Sequence, residues 1–319
     1  NINWLPFEFK GNLDGKNYTV SNLYVDRIES YQGLFSECSG FVSNLTVRNV
    51  YIKAGALDYI GAISGSGGTI TNCKVILGSS SLLVGNSYVG GISGHNAEIT
   101  DCSVESDAAS AVIKGNSYVG GLIGNCSSDI TNSHVSCKLM GTNYVGGIVG
   151  STSSTIQSCS FTGGVTGENG VGGICGDGSS YTLNVKGCKV QASLEASNGA
   201  AGGILGTSHE YSKIYGCYAA GTLSASGNAS GIAYSSSVYL SYSVMTSSSS
   251  SYYGIGHKAE GKDCATTASR ASGYGDNFKA NCTDITTFLR ECYSEYAGYW
   301  NFNKNWMSGD VKCPKLSWE

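Results

Sequence analysis

Two carboxylates hold the same place in two similar hexapeptides. Glu98 precedes Ile99-Thr100-Asp101-Cys102-Ser103-Val104, and Asp129 precedes Ile130-Thr131-Asn132-Ser133-His134-Val135. If the hexapeptides stack on adjacent turns, the two carboxyl groups lie about 5 Å apart, the separation used by retaining glycosidases. Asp101 is close by and adds an oxygen donor of the kind Ca2+ takes. Against this chemistry, the equivalent places one repeat earlier and later hold Thr69 and Thr155. No Arg or Lys cluster accompanies the pair, as a polysaccharide lyase would need. The plainer reading is a pair of solvated turn carboxylates. It is adopted here, so no catalytic residue and no resident cofactor or metal is assigned.

Sulfur is the next candidate. The chain has 13 cysteines. Cys73, Cys102, Cys159, Cys188 and Cys217 occupy one repeat position, where Leu45 and Ser133 also stand. That substitution pattern fits a small buried residue, a stacked internal ladder of thiols. Disulfides between neighbouring rungs are the alternative, since a rung spacing of about 4.8 Å lies inside the allowed Cα range. A metal site is the least supported, because no Cys or His pair has ligand spacing. Cys264, Cys282, Cys292 and Cys313 fall in an irregular tail that a disulfide could staple. Cys126 and Cys137 flank a single hexapeptide.

Tyr59, Tyr88, Tyr118 and Tyr144 recur once per repeat, before Gly170 and Ala200 end the column. Tyrosines in a row supply apolar faces with polar tips, suited to sugar rings, or they stack on one another and stiffen the scaffold. A second concentration includes Tyr211, Tyr215, Tyr218, Tyr234, Tyr239, Tyr242, Tyr252 and Tyr253. His95, His134, His209 and His257 fall in different repeat columns and share no ligand set. Serine is abundant, but no Gly-x-Ser-x-Gly sits between a strand and a helix, the context a nucleophile needs.

The elements that position these residues are repeats. Tyr88-Val89-Gly90-Gly91-Ile92-Ser93-Gly94 returns at Tyr118 to Gly124 and at Tyr144 to Gly150, with weaker copies at Tyr59, Gly170 and Ala200. The residues before the aliphatic one are Gly33, Ala62, Gly91, Gly121, Gly147, Gly173, Gly203, Gly231 and Gly254, spaced by 29, 29, 30, 26, 26, 30, 28 and 23. Such a period marks a solenoid or an array. Propeller blades need about 40–50 residues, so that alternative is too long. No helical apolar spacing is sustained, and glycine pairs recur inside the best segments. The third place of each hexapeptide is Asn44, Asn72, Asp101, Asn132, Ser158, Gly187 or Gly216. Asn, Asp and Gly accept a left-handed backbone, so a bend is placed there, with the fourth and sixth places pointing inward.

Each period therefore forms one turn of a parallel β-solenoid, right-handed by the crossover rule, about nine turns and about 40 Å long. Residues 1–32 form an N-terminal cap with the first strands, 33–257 the repeats, and 258–319 a C-terminal cap. In that cap a short helix is placed over Thr283 to Glu295. An aromatic closing segment follows, with Trp300, Trp306 and Trp318, to cover the last rung and block end-to-end association.

Composition agrees. Charged residues are 13% and glycines number 46 in 319 residues, while 41% hydrophobic content argues against disorder. A net charge of −4 gives no nucleic-acid footprint. No apolar run is long enough to insert in a membrane. Residue 1 already opens a strand-like stretch, so no signal peptide is visible and a mature or trimmed chain is expected.

The repeated Gly-Gly-Ile-x-Gly core, and Gly121-Leu122-Ile123-Gly124 most directly, resembles the GLUG repeat. The lead-in Phe9-Lys10-Gly11-Asn12-Leu13-Asp14-Gly15 and the ending around Trp300-Asn301-Phe302 resemble that family's flanks. The resemblance implies bacterial surface or secreted proteins, adhesin-like, with repeats as a stalk or recognition surface and no catalytic residues. The expectation is thus a non-catalytic extracellular module that adheres to a host or cell-surface glycan or protein, or spaces other domains. The alternative is a carbohydrate-active or glycan-binding protein on the same scaffold. Ice binding would want a uniform threonine column, which is lacking.

Overall fold

The computed structural model describes residues 2–239 and 241–256, and beyond them three short strands, Glu260–Lys262, Cys264–Thr266 and Phe278–Lys279. The described residues form strands and turns without a helix, and every strand pair is parallel. The chain is a parallel β-solenoid with three sheets of 16, 15 and 7 strands. They are called here sheets A, B and C. In one turn the chain passes from sheet C (Ser87–Gly90) to sheet A (Ser93–His95, Glu98–Thr100). It then passes to sheet B (Ser103–Ser106, Val112–Lys114) and back to C at Ser117–Gly120.

Registry is kept from turn to turn. Val89 pairs with Val119, Val119 with Val145, and Val145 with Val171, all fully buried. Two isolated bridges, Gln32 to Ile60 and Ile60 to Val89, extend the seven strands of sheet C to nine stacked positions. Eight full turns separate the first from the last. Each buried Val or Ile in these columns contributes about 1.5–3 kcal/mol.

The opening residues are already a rung. Phe7–Phe9 and Asn12–Asp14 pair with sheet A, and Thr19–Ser21 and Tyr24–Val25 with sheet B. The Trp4 indole N–H donates to the Leu34 carbonyl at 2.8 Å, and the Phe9 and Phe35 rings stack at 4.5 Å over this end. The helix placed over Thr283 to Glu295 and the tryptophan closing segment lie outside the described residues.

The corner between sheets A and B falls where the hexapeptides place a bend. Asn44, Asn72, Asp101, Asn132 and Ser158 have φ between 47° and 53°, and Gly187 and Gly216 have 56° and 57°. The residue after each corner is buried. A second left-handed position is less expected. Tyr31, Tyr59, Tyr88, Tyr118 and Tyr144 have φ between 54° and 66°, and Gly170 has 65° at the same place. An L residue there costs about 1–2 kcal/mol.

The last glycine of the repeat is explained by this tyrosine. A Cβ on Gly124 would lie 2.5 Å from the Tyr88 carbonyl carbon and 2.6 Å from its Cα, one turn earlier. Only glycine lets two backbones pass that closely.

The uneven period has a structural cause. From Gly121 to Ser133 and from Gly147 to Cys159, the residues just after the corners, is 12 residues, and from each of these to the next marker 14. These are the bare turns, in which sheet B runs unbroken over His134–Met140 and Ser160–Gly167. Earlier turns are longer after the corner, by loops at residues 78–81 and 107–111 that split sheet B. Two later turns are longer before the corner, by loops at residues 179–183 and 209–212 on sheet A.

Candidate functional site

The thiol column stands inside the fold. Cys73, Cys102, Cys159, Cys188 and Cys217 are all buried, with free thiols. Cys38, Cys126, Cys137 and Cys175 are free and buried as well. Each ladder thiol lies against the carbonyl two residues before it: Cys102 Sγ to Thr100 O at 3.2 Å, and Cys159 Sγ to Gln157 O at 3.3 Å. The amide of Cys73 donates to Cys102 Sγ at 3.4 Å. The group is therefore small, buried and hydrogen-bonding, which explains why serine substitutes for cysteine in the column. Burial pushes the Cys159 and Cys217 thiols well above the ordinary range, so they hold their protons. Cys264 has only its backbone described, and Cys282, Cys292 and Cys313 lie outside the described residues.

The tyrosines form a continuous stack. Ring centroids are 4.5 Å apart for Tyr31 and Tyr59, 5.0 Å for Tyr59 and Tyr88, 5.1 Å for Tyr88 and Tyr118, and 5.2 Å for Tyr118 and Tyr144. The rings are half-buried and near-parallel, so each occupies the faces of its neighbours. A ligand meets their edges and hydroxyls. The sequence columns omit Tyr31, because the motif around Gly33 is degraded. His95 leans edge-on against Tyr59 and Tyr88 at 5.3 Å and 5.5 Å, and burial lowers its pKa.

Glu98 and Asp129 sit on adjacent rungs before paired Ile99 and Ile130. They reach in opposite directions. Glu98 Oε2 accepts from the Thr69 hydroxyl at 3.4 Å on one side, and Asp129 Oδ1 from the Thr155 amide at 2.9 Å on the other. Both are exposed and each closes a turn. Asp101 holds the corner itself, with φ 53°. Among the described residues no group of three His, Cys, Asp or Glu is placed to hold a metal. His134 Nδ1 is 2.7 Å from Ser160 Oγ. His257 lies outside the described residues.

The second tyrosine concentration separates into unrelated columns. Tyr215 and Tyr239 stack at 4.9 Å on sheet A, whereas Tyr218 and Tyr242 are buried on sheet B. Tyr252 donates its hydroxyl to the Met245 carbonyl.

The inserted loops carry what repeat columns cannot show. On sheet A, Tyr181 and Tyr211 are 66% and 56% exposed. His209 stands between them, 4.2 Å from Tyr181 and 5.3 Å from Tyr211. On sheet B, the loops at residues 78–81 and 107–111 project over the surface and are braced. Ser110 Oγ donates to the Ser79 carbonyl at 3.4 Å, and Arg48 pairs with Asp107. One cleft lies on each side of this overhang. The lower includes Asn22, Tyr24, Asn49 and Tyr51, and the upper Asp107, Ser136 and Lys138.

No helix among the described residues is long and apolar enough to cross a membrane. No family model, no curated protein and no solved structure matches the chain.

Proposed function

We propose that the chain is a non-catalytic, extracellular binding module, adhesin-like, in which a stiff β-solenoid displays recognition loops. One observation carries this reading. The inserts at residues 179–183 and 209–212 place Tyr181, His209 and Tyr211 together as an exposed aromatic patch. Exposed Tyr clusters supply contact area at low entropic cost, as binding surfaces require. The bare turns beside them show that the scaffold does not need these residues.

The low charge and the resemblance of the repeats to GLUG repeats support a surface or secreted location. The opposed hydrogen bonds of Glu98 and Asp129 favour binding over glycoside hydrolysis, because a catalytic pair must converge on one bond. The partner is a host or cell-surface glycan or protein. Retention of the labelled chain on immobilised matrix proteins and on a printed glycan panel tests the proposal. On the matrix proteins, Tyr181→Ser with Tyr211→Ser is expected to reduce retention at least tenfold at unchanged melting temperature. No retention of the parent chain on either surface would leave only a spacer and overturn the binding role.

A further inference from the structure

The lower cleft under the sheet B overhang has the chemistry of a sugar site, and nothing in the repeat motif requires it. Its floor is buried Leu23, its aromatic side the stacked rings of Tyr24 and Tyr51, 4.9 Å apart and 11° from parallel. Tyr24 opens its column: among the described residues its strand, Tyr24–Val25, pairs only with Tyr51–Lys53. The next place in that column after Tyr51 is Leu82. The cleft volume, about 550 Å³, falls within the range of small-molecule sites.

The polar groups are uncharged and preset. Asn22 and Asn49 both have left-handed backbones, with φ 60° and 54°. Asn49 Nδ2 donates to Asn22 Oδ1 at 3.2 Å. That bond leaves Asn22 Nδ2 as a donor and Asn49 Oδ1 as an acceptor, each without a side-chain hydrogen-bond partner among the described residues. Adjacent sugar hydroxyls ask for one donor and one acceptor. Ser79 and Ser80 form the wall, in a loop closed by two bonds: Ser81 N–H to the Gly78 carbonyl and Gly78 N–H to Ser81 Oγ, both 2.9 Å. A Cβ on Gly78 would lie 2.2 Å from Asn49 Oδ1, so glycine there leaves room for the amide. No lining residue is charged. The nearby Arg48 guanidinium is paired with Asp107.

We infer that this cleft binds one unit of a neutral glycan, its apolar face against the ring edges of the stacked Tyr24–Tyr51 pair and adjacent hydroxyls on the two asparagines. A sulfated, phosphorylated or uronate sugar finds no cation among the lining residues. This inference rests on the binding-module reading only in that the site binds without reacting. It uses residues on sheet B that the sheet A patch does not share.

The test is a printed array of neutral gluco-, manno-, galacto- and xylo-oligosaccharides beside uronate and sulfated sets, followed by calorimetric titration of the strongest neutral binder. Tyr51→Leu installs the residue the column carries one turn on. Asn49→Gly keeps the left-handed backbone and removes the amide, so both variants preserve the fold. Each is expected to weaken binding at least tenfold at unchanged melting temperature. Three results would overturn the inference: no neutral oligosaccharide bound by the parent chain, a preference for the acidic sets, or affinity unaltered by both cleft variants. A blank neutral array with intact retention on matrix proteins removes the cleft and leaves the module reading standing.

Discussion

Ser133 Oγ accepts the Cys102 amide at 3.1 Å and donates to the Thr131 carbonyl at 2.7 Å, the same two bonds that a thiol makes elsewhere in the ladder. Cys102 Sγ in turn receives the Cys73 amide. The ladder is a column of buried acceptors at a corner where the strand ladder leaves an amide unpaired. Cys102→Ser is expected to change stability by less than about 1 kcal/mol. Cys102→Ala leaves the buried Cys73 amide without a partner and is expected to cost about 1–3 kcal/mol. Urea unfolding of the two variants checks this. Equal losses would show that the thiol acts only by filling volume.

The buried thiols also set a pH dependence. Burial pushes Cys126 up to about 11 and Cys137 up to about 12. An unfolded thiol titrates near about 8.5. The unfolded chain therefore releases these protons first, and the folded state loses ground as pH rises between the two values. Their contribution is fully present below about pH 8.5 and lost as pH climbs through 11 and 12. Urea midpoints at pH 7, 9 and 10.5 should fall in that order above the first. Thiol reagents should label the nine described cysteines slowly until the chain unfolds.

The tyrosine stack sets a strained backbone against ring contacts. Left-handed φ costs about 1–2 kcal/mol per tyrosine, and each stacked pair returns about 0.5–1.5 kcal/mol beyond the area it buries. Tyr118→Ala removes both stacking contacts and keeps the strain. Tyr118→Gly removes the contacts and the strain together, as the chain itself does at Gly170. Thermal denaturation should therefore rank glycine as the milder change, the reverse of the usual order within strands.

Gly124 tests the close approach that fixes the repeat. Its Cβ would sit 2.5 Å from the Tyr88 backbone, with no flexible side chain to yield. Gly124→Ala is expected to cost more than about 3 kcal/mol, beyond most single substitutions. An alanine variant of near-parent stability would mean that neighbouring turns stand further apart there.

The period and the corner residues between sheets A and B were legible because they repeat. Asn72, Asp101 and Asn132 announce a left-handed bend by residue type alone. The tyrosine bend was not legible, since aromatic residues rarely accept that backbone and only Gly170 hints at it. Cysteine and serine alternating at one place reads as small size, whereas the shared property is accepting the amide of an adjacent turn. The exposed patch at Tyr181, His209 and Tyr211 and the cleft at Tyr24 and Tyr51 escaped for another reason. They depend on loops that lengthen individual turns, and a search for equal letters one period apart passes over what is not repeated. The difference between 26 and 30 residues carries that signal.

All of this depends on residues one turn apart being direct neighbours. Thr100 and Thr131 are paired across sheet A, with their hydroxyls 3.1 Å apart. The most direct measurement is oxidation of Thr100→Cys/Thr131→Cys, with the linked peptides identified by mass spectrometry. A rung spacing of about 4.8 Å permits that disulfide. Rapid, near-complete linkage is expected, and none for Thr100→Cys/Gln157→Cys, which lie two rungs apart. No linkage in the first variant, or equal linkage in both, would contradict it.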